Sequence, residues 1–236
     1  MSICFGNIRK ELAKHIDLEF QKGATKFFKE AVKILGVRSA QVHRIEGKIF
    51  KETKDFSKDE LFSLCKMLLS SKYLEEGSIA LGLVQRNLKK FDKNDFVVFE
   101  AWLKKYVSNW ALCDDISTHI LGYFIFQDPA IFEKNLMWAT SKNRWVRRAS
   151  AVSLIYPLKK GIMLQGAFQV ADSLLLDSDD MVQKGYGWML KIASEKHEHQ
   201  VFDFVMKRKV TMPRTALRYA IEKMPKRMRG LSMRRS

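Results

Sequence analysis

The chain has 236 residues, 47% of them apolar, and 42 Lys and Arg stand against 26 Asp and Glu for a formal net charge of +16. That length can bury a substantial core in one domain or one continuous repeat array, and the apolar content excludes a disordered chain. The positive excess calls for a polyanionic partner (DNA, RNA or an acidic membrane surface), and three scattered cysteines, Cys4, Cys65 and Cys113, exclude a disulfide framework.

Apolar residues recur at helical spacing almost throughout, and no alternating strand pattern appears. In chain order, a break near Asp55 precedes a helix lined by Leu61, Leu64, Cys65 and Leu68. Breaks near Lys72 and Phe91 follow, and Phe96, Phe99, Leu103 and Tyr106 line another helix. The segment Asn109–Asp115 sets Trp110 and Asp114 four residues apart, on one face of a helix. A helix through Ile116, Ile120 and Tyr123 comes next, with Asp114 or Asp115 as its candidate N-cap. Asp115 takes that role because it does not share the spacing to Trp110. Further breaks fall near Asp128, Lys159, Asp177, His197 and Thr211. The expectation is an all-α protein of about a dozen helices. Between Met206 and the end, about eleven Lys and Arg face one acid, Glu222, so residues 224–236 read as a basic C-terminal tail.

The helices repeat. An aliphatic residue followed three positions later by a small one occurs at Leu74/Gly77, Val146/Ala149, Val182/Gly185 and Leu217/Ala220. The intervals imply a period of about 36 residues with one weak copy between 74 and 146. Such a period predicts stacked helix pairs. The expectation is one HEAT-like repeat domain over residues 1–236, an α-α superhelical solenoid with a concave basic groove. At 100° per residue, Val182, Gly185, Tyr186 and Met189 form a core stripe. Lys184 and Trp188 fall well off it, and Lys184 shares the repeat position of Arg148. Trp102, Trp138 and Trp145 read as packing residues, and His119 and His197 as surface or core residues.

No CxxC occurs, the histidines are dispersed, and neither a phosphate loop nor a nucleophile elbow appears, so the reading is no metal and no cofactor. The N-terminus lacks a signal-peptide core, and the apolar run Ile120 to Phe126 falls far short of a membrane span. An intracellular, cytoplasmic protein without membrane association is expected.

Trp110-x-x-x-Asp114, the run Arg144-Trp-Val-Arg-Arg-Ala149, and Val182-Gln-Lys-Gly-Tyr-Gly-Trp-Met-Leu190 together resemble the DNA alkylation repair glycosylases built from HEAT-like repeats. The resemblance runs from Phe27-Phe28 to Met212-Pro213-Arg214-Thr215. It implies hydrolysis of the N-glycosidic bond of N3- or N7-alkylated purines in double-stranded DNA, on a duplex held in the concave groove and without a tight base pocket. It carries over Trp110, Asp114, Arg148 and Trp188, with Phe27 as an aromatic near the lesion. Asp180-Met181 departs from relatives that place aromatics there.

The residue chemistry suits that reading. An alkylated purine already carries positive charge and leaves without protonation. The sugar becomes oxocarbenium-like as the bond breaks. A fixed carboxylate, Asp114, opposes that charge and positions water. Indole faces such as Trp110 and Trp188 attract cations. Arg148 and Lys184 are expected to hold phosphates. The commitment is a monofunctional alkylpurine DNA glycosylase, monomeric and nucleoid-associated, leaving an abasic site. Two alternatives stay open: a non-catalytic helical-repeat binder of damaged, bent or branched DNA, and a protein-interaction scaffold.

Overall fold

A computed structural model describes residues 5–234, so Cys4 and the last two residues of the basic terminus lie outside the described residues. Among the described residues the chain is all-helical, with no strand, and a lone bridge joins Lys33 to Tyr73. It forms two compact units that divide between Ile116 and Ser117.

The first unit carries α1 (Phe5–Ala13), α2 (Leu18–Thr25), α3 (Ser39–Glu52), α4 (Lys58–Ser70), α5 (Leu74–Arg86), α6 (Phe96–Tyr106) and α7 (Trp110–Asp115). Helix α4 shows how the sequence sets these elements. Ser57 caps it by accepting from the Glu60 amide, and the Glu60 carboxylate accepts from the Ser57 amide at 2.8 Å, a reciprocal pair that satisfies two amides lacking helical partners. Leu61, Leu64, Cys65 and Leu68 then bury one face, the stripe read from the sequence. Helix α5 packs on α3, α4 and α7. Gly77 makes the last of these contacts possible, because a Cβ there would lie 2.9 Å from a Leu112 methyl. Two buried carboxylates on α5 are structural. Glu76 holds Arg9 through bonds of 2.6 and 2.7 Å, and Glu75 accepts the amides of Leu35, Gly36 and Val37.

The second unit carries α8 (Gly122–Gln127), α9 (Phe132–Met137), α10 (Arg144–Val152), α11 (Ile155–Lys159), α12 (Leu164–Ser173), α13 (Asp180–Arg208), α14 (Arg214–Ala220) and α15 (Lys226–Met233). Helix α13 packs on α10, α11, α12 and α14. Its stripe of Val182, Gly185, Tyr186 and Met189 is buried, as the 100° periodicity requires. The break expected near His197 is a kink inside α13, where His197 leaves helical geometry at φ −135°, ψ 46°.

The helices outnumber the expected dozen because short caps restart them. Between α8 and α9, the Asp128 carboxylate accepts from the Ala130 amide at 3.1 Å, and Pro129 supplies a turn that needs no donor. The basic terminus is also more ordered than the expected tail, since its described part contains α15, whose Ser232 is buried against α13.

Candidate functional site

In the first unit, Asn109 starts α7 by accepting the Leu112 amide at 3.0 Å. The helix turns Leu112 and Cys113 inward and leaves Trp110 and Asp114 half-exposed on one face, one turn apart. The Trp110 indole is fixed from two directions. Its Nε1–H donates to the Phe27 carbonyl at 3.4 Å, and its ring stacks on Phe28 with centroids 5.3 Å apart and planes inclined by 20°. Phe27 itself is 77% exposed. The structure therefore groups Phe27, Trp110 and Asp114 on the elements of this unit.

Asp115 does not cap a helix. Its Oδ1 accepts from the Gln85 amide at 2.6 Å, tying the end of α7 to α5. The expected capping role fails because the helix is already running: Asn109 starts α7 six residues before Asp115. Helical backbone continues directly through a π segment, Ile116–Leu121, into α8. A π segment widens the helix and occurs often at functional positions. Here it begins two residues after Asp114.

In the second unit, α10 is capped by Asn143, which accepts the Trp145 amide at 2.9 Å. The three arginines of the run 144–149 all reach the loop and first turn that start α13. Arg144 donates to Asp179 at 2.9 Å, Arg147 to Asp177 at 2.6 Å, and Arg148 to the Met181 carbonyl. Arg148 is 5% exposed, and its Cγ would lie 3.1 Å from a Cβ on Gly185. Much of the charge in this run is therefore spent on ordering α13. That helix presents Lys184 and Trp188, one turn apart and half-exposed, off the buried stripe. Lys184 lies 3.3 Å from the Asp180 carboxylate.

The repeat register relates these residues. Two positions after Leu74, Val146, Val182 and Leu217 stand Glu76, Arg148, Lys184 and Tyr219, and Asp114 stands two positions after Leu112. Glu76 and Arg148 are buried, whereas Asp114 and Lys184 are half-exposed. Sequence reasoning missed Phe28, Gln85 and the π segment. The Phe27-Phe28 pair was a signal for the first; nothing in the local pattern marks the other two. Trp102, Trp138 and Trp145 are buried, consistent with packing. Among the described residues, no group of three or more His, Cys, Asp or Glu is placed to hold a metal ion, and no helix is long and apolar enough to cross a membrane.

The family model described as DNA alkylation repair enzyme matches residues 8–224. A solved structure described as a predicted DNA alkylation repair enzyme from Enterococcus faecalis superposes with a TM-score of 0.80 at 16% identity, covering 90% of this chain and 98% of that one. At that identity the likeness speaks for the fold. A search of curated proteins finds no match.

Proposed function

The chain belongs to the DNA alkylation repair enzyme family, and from that premise we propose that it is a monofunctional glycosylase that hydrolyses the N-glycosidic bond of N3- or N7-alkylated purines in double-stranded DNA. The observation that carries this reading is the α7 face. It sets a half-exposed carboxylate one turn from an indole pinned by Phe27 and Phe28. The indole cannot swing away, so a cationic sugar meets its face with little reorganisation.

Alkylation places positive charge on the purine, and the base departs neutral with the bonding electrons. Positive charge moves to C1′ and the ring oxygen of the deoxyribose. Asp114 faces that charge and orients the water that attacks C1′, taking up the proton the water loses. The products are the free base and an abasic site. Trp110 adds its π face beside the carboxylate. Trp188 offers a second indole of the same chemistry on α13, and Lys184, one turn before it, supplies a cation for a phosphate. Phe27, with most of its ring in solvent, is assigned to contact the duplex. Arg148 acts as a positioning residue: it holds the Met181 carbonyl and so sets the first turn of the helix that presents Lys184 and Trp188. The protein is expected to work as a monomer, intracellularly, on the nucleoid.

The test is single-turnover release of a methylated purine from duplex DNA, resolving N3-methyladenine from N7-methylguanine, with wild type and Asp114→Asn. Release by wild type and its loss in the variant support the assignment. A wild type that binds duplex but releases no base would make the chain a non-catalytic binder.

A further inference from the structure

We propose that α15 and the residue after it form a second phosphate-binding surface, which grips the backbone of duplex nucleic acid. The partner class rests on the family's action on DNA. The chemistry assigned to Asp114 plays no part in the argument.

Helix α15 is docked on one side only. Ser232 is buried, donates to the Met228 carbonyl at 3.0 Å and lies 3.7 Å from the Met206 sulfur on α13, while Met228 and Leu231 are half-buried. Arg214 donates to the Met233 carbonyl at 3.3 Å and ties the helix end to α14. The opposite side carries Lys226, Arg227, Arg229 and Gly230, all exposed, within an arc of about 160° at 100° per residue that also holds half-buried Met233. Exposed Arg234 follows at the C-cap. A Cβ built on Gly230 meets nothing within 4 Å, so the middle of this face is open to a ligand.

The charge there is uncompensated. The helix contains no acid. Glu222 takes Lys191, Glu195 takes Lys223, and Asp172 takes Arg208. None of the described ion pairs engages Lys226, Arg227, Arg229 or Arg234. Two of these cations also sit where they oppose folding. Lys226 and Arg227 occupy the first turn, where the helix dipole favours acids, and no acid is present. A local rule broken without a compensating contact marks a surface kept for a partner.

That partner is a polyanion, and the face suits phosphodiesters better than a lipid surface. An interfacial membrane helix needs large apolar side chains beside its cations. No large apolar side chain is exposed between Thr211 and Arg234. The helix spans about 12 Å, the axial rise of about three to four nucleotides along one strand. Its Lys and Arg side chains match phosphate oxygens along that length, so the face is assigned to the backbone.

The experiment measures equilibrium binding of the full chain to undamaged duplex across a salt series. It compares wild type with the fourfold variant Lys226→Gln, Arg227→Gln, Arg229→Gln, Arg234→Gln. The slope of log K against log salt should flatten by about three and a half units, at about 0.9 for each of the four lost phosphate contacts, and affinity at low salt should fall at least tenfold. An unchanged slope and affinity overturn the proposal. If the fourfold variant loses its thermal transition, Lys226→Gln and Arg229→Gln alone carry the test, each expected to remove about one unit. A second arm uses vesicles of phosphatidylcholine with phosphatidylserine. Vesicle binding that depends on these residues, with duplex binding unaltered, assigns the face to a membrane and also overturns the proposal. The two readings fail separately: base release by wild type with an unaltered salt slope removes this surface alone, and a flattened slope without base release removes the glycosylase alone.

Discussion

The indole of Trp110 lies against the ring of Phe28, 5.3 Å between centroids and 20° from parallel, although the two residues are far apart in sequence. The contact joins the turn after α2 to the first residue of α7 and so orients the face that carries Asp114. It makes Phe28 a support for Trp110, while its neighbour Phe27 keeps an exposed ring and lends only its carbonyl to the indole N–H.

The chemistry assigned to Asp114 gives the first prediction. Asp114→Asn keeps the shape and removes the negative charge, so single-turnover base release should fall about a hundredfold or more. Duplex binding should persist, since the carboxylate repels phosphates. Asp115→Asn is the control. Its side-chain oxygen can still accept from Gln85, so base release should stay near wild type and stability should change by no more than about 1 kcal/mol. An inactive Asp115→Asn beside an active Asp114→Asn would shift the assignment by one residue.

The aromatic contacts separate support from engagement. Trp110→Ala should slow base release strongly, and Phe28→Ala should slow it less, by loosening the indole and not removing it. The ring–ring contact is worth about 0.5–1.5 kcal/mol, so Phe28→Ala should also lower the melting temperature. Phe27→Ala should leave melting unchanged, because its ring is exposed and its carbonyl remains. It should weaken duplex binding instead. Parallel melting and binding measurements on the three variants check the order.

Arg148 and Lys184 share a repeat position and should behave differently. Arg148→Ala leaves the Met181 carbonyl without its donor and a gap beside Gly185, at a cost of about 2–3 kcal/mol in unfolding free energy. Lys184→Ala should leave stability within about 0.5 kcal/mol and flatten the salt dependence of duplex binding by about one unit. Denaturant unfolding and a salt titration on both variants decide the matter. Equal effects of the two on stability would contradict the burial argument.

Tyr186 makes folding stability sensitive to alkali. Its ring is buried and its hydroxyl donates to the Leu175 carbonyl at 3.1 Å. Burial, reinforced by the Asp177 carboxylate, pushes its ionisation well above the ordinary tyrosine value. A pKa raised in the folded state contributes stability that is complete below the unfolded value, about 10, and is lost as pH climbs toward the folded one. Wild type should therefore lose stability above about pH 10 more steeply than Tyr186→Phe. Unfolding curves of both proteins at pH 8 to 11 test the sign. A parallel decline would remove Tyr186 as the cause.

The helical architecture was legible in the sequence because it rests on local rules. The stripe of Leu61, Leu64, Cys65 and Leu68 and the stripe of Val182, Gly185, Tyr186 and Met189 are periodic, and each is buried as that periodicity demands. The small residue of the repeat also acts as read: at Gly77 the missing side chain admits Leu112 of α7. The placement of Trp110 and Asp114 on one face followed from their spacing alone, since four residues bring two side chains onto adjacent turns of any α-helix.

Residues that act across elements were decided by the tertiary structure. The sequence assigned Arg148 to a phosphate, yet the loop and first turn of α13 bring the Met181 carbonyl to meet it, and Asp179 and Asp177 to meet Arg144 and Arg147. Phe28 became the partner of Trp110, and Gln85 that of Asp115, through packing between helices distant in sequence. The basic terminus became a helix with one buried and one cationic side because α13 offers Met206 to Ser232. Periodicity records which face of a helix turns toward the core, since that depends on neighbours three and four residues away. Which charge finds a partner depends on where other helices bring their ends, and no local spacing encodes that.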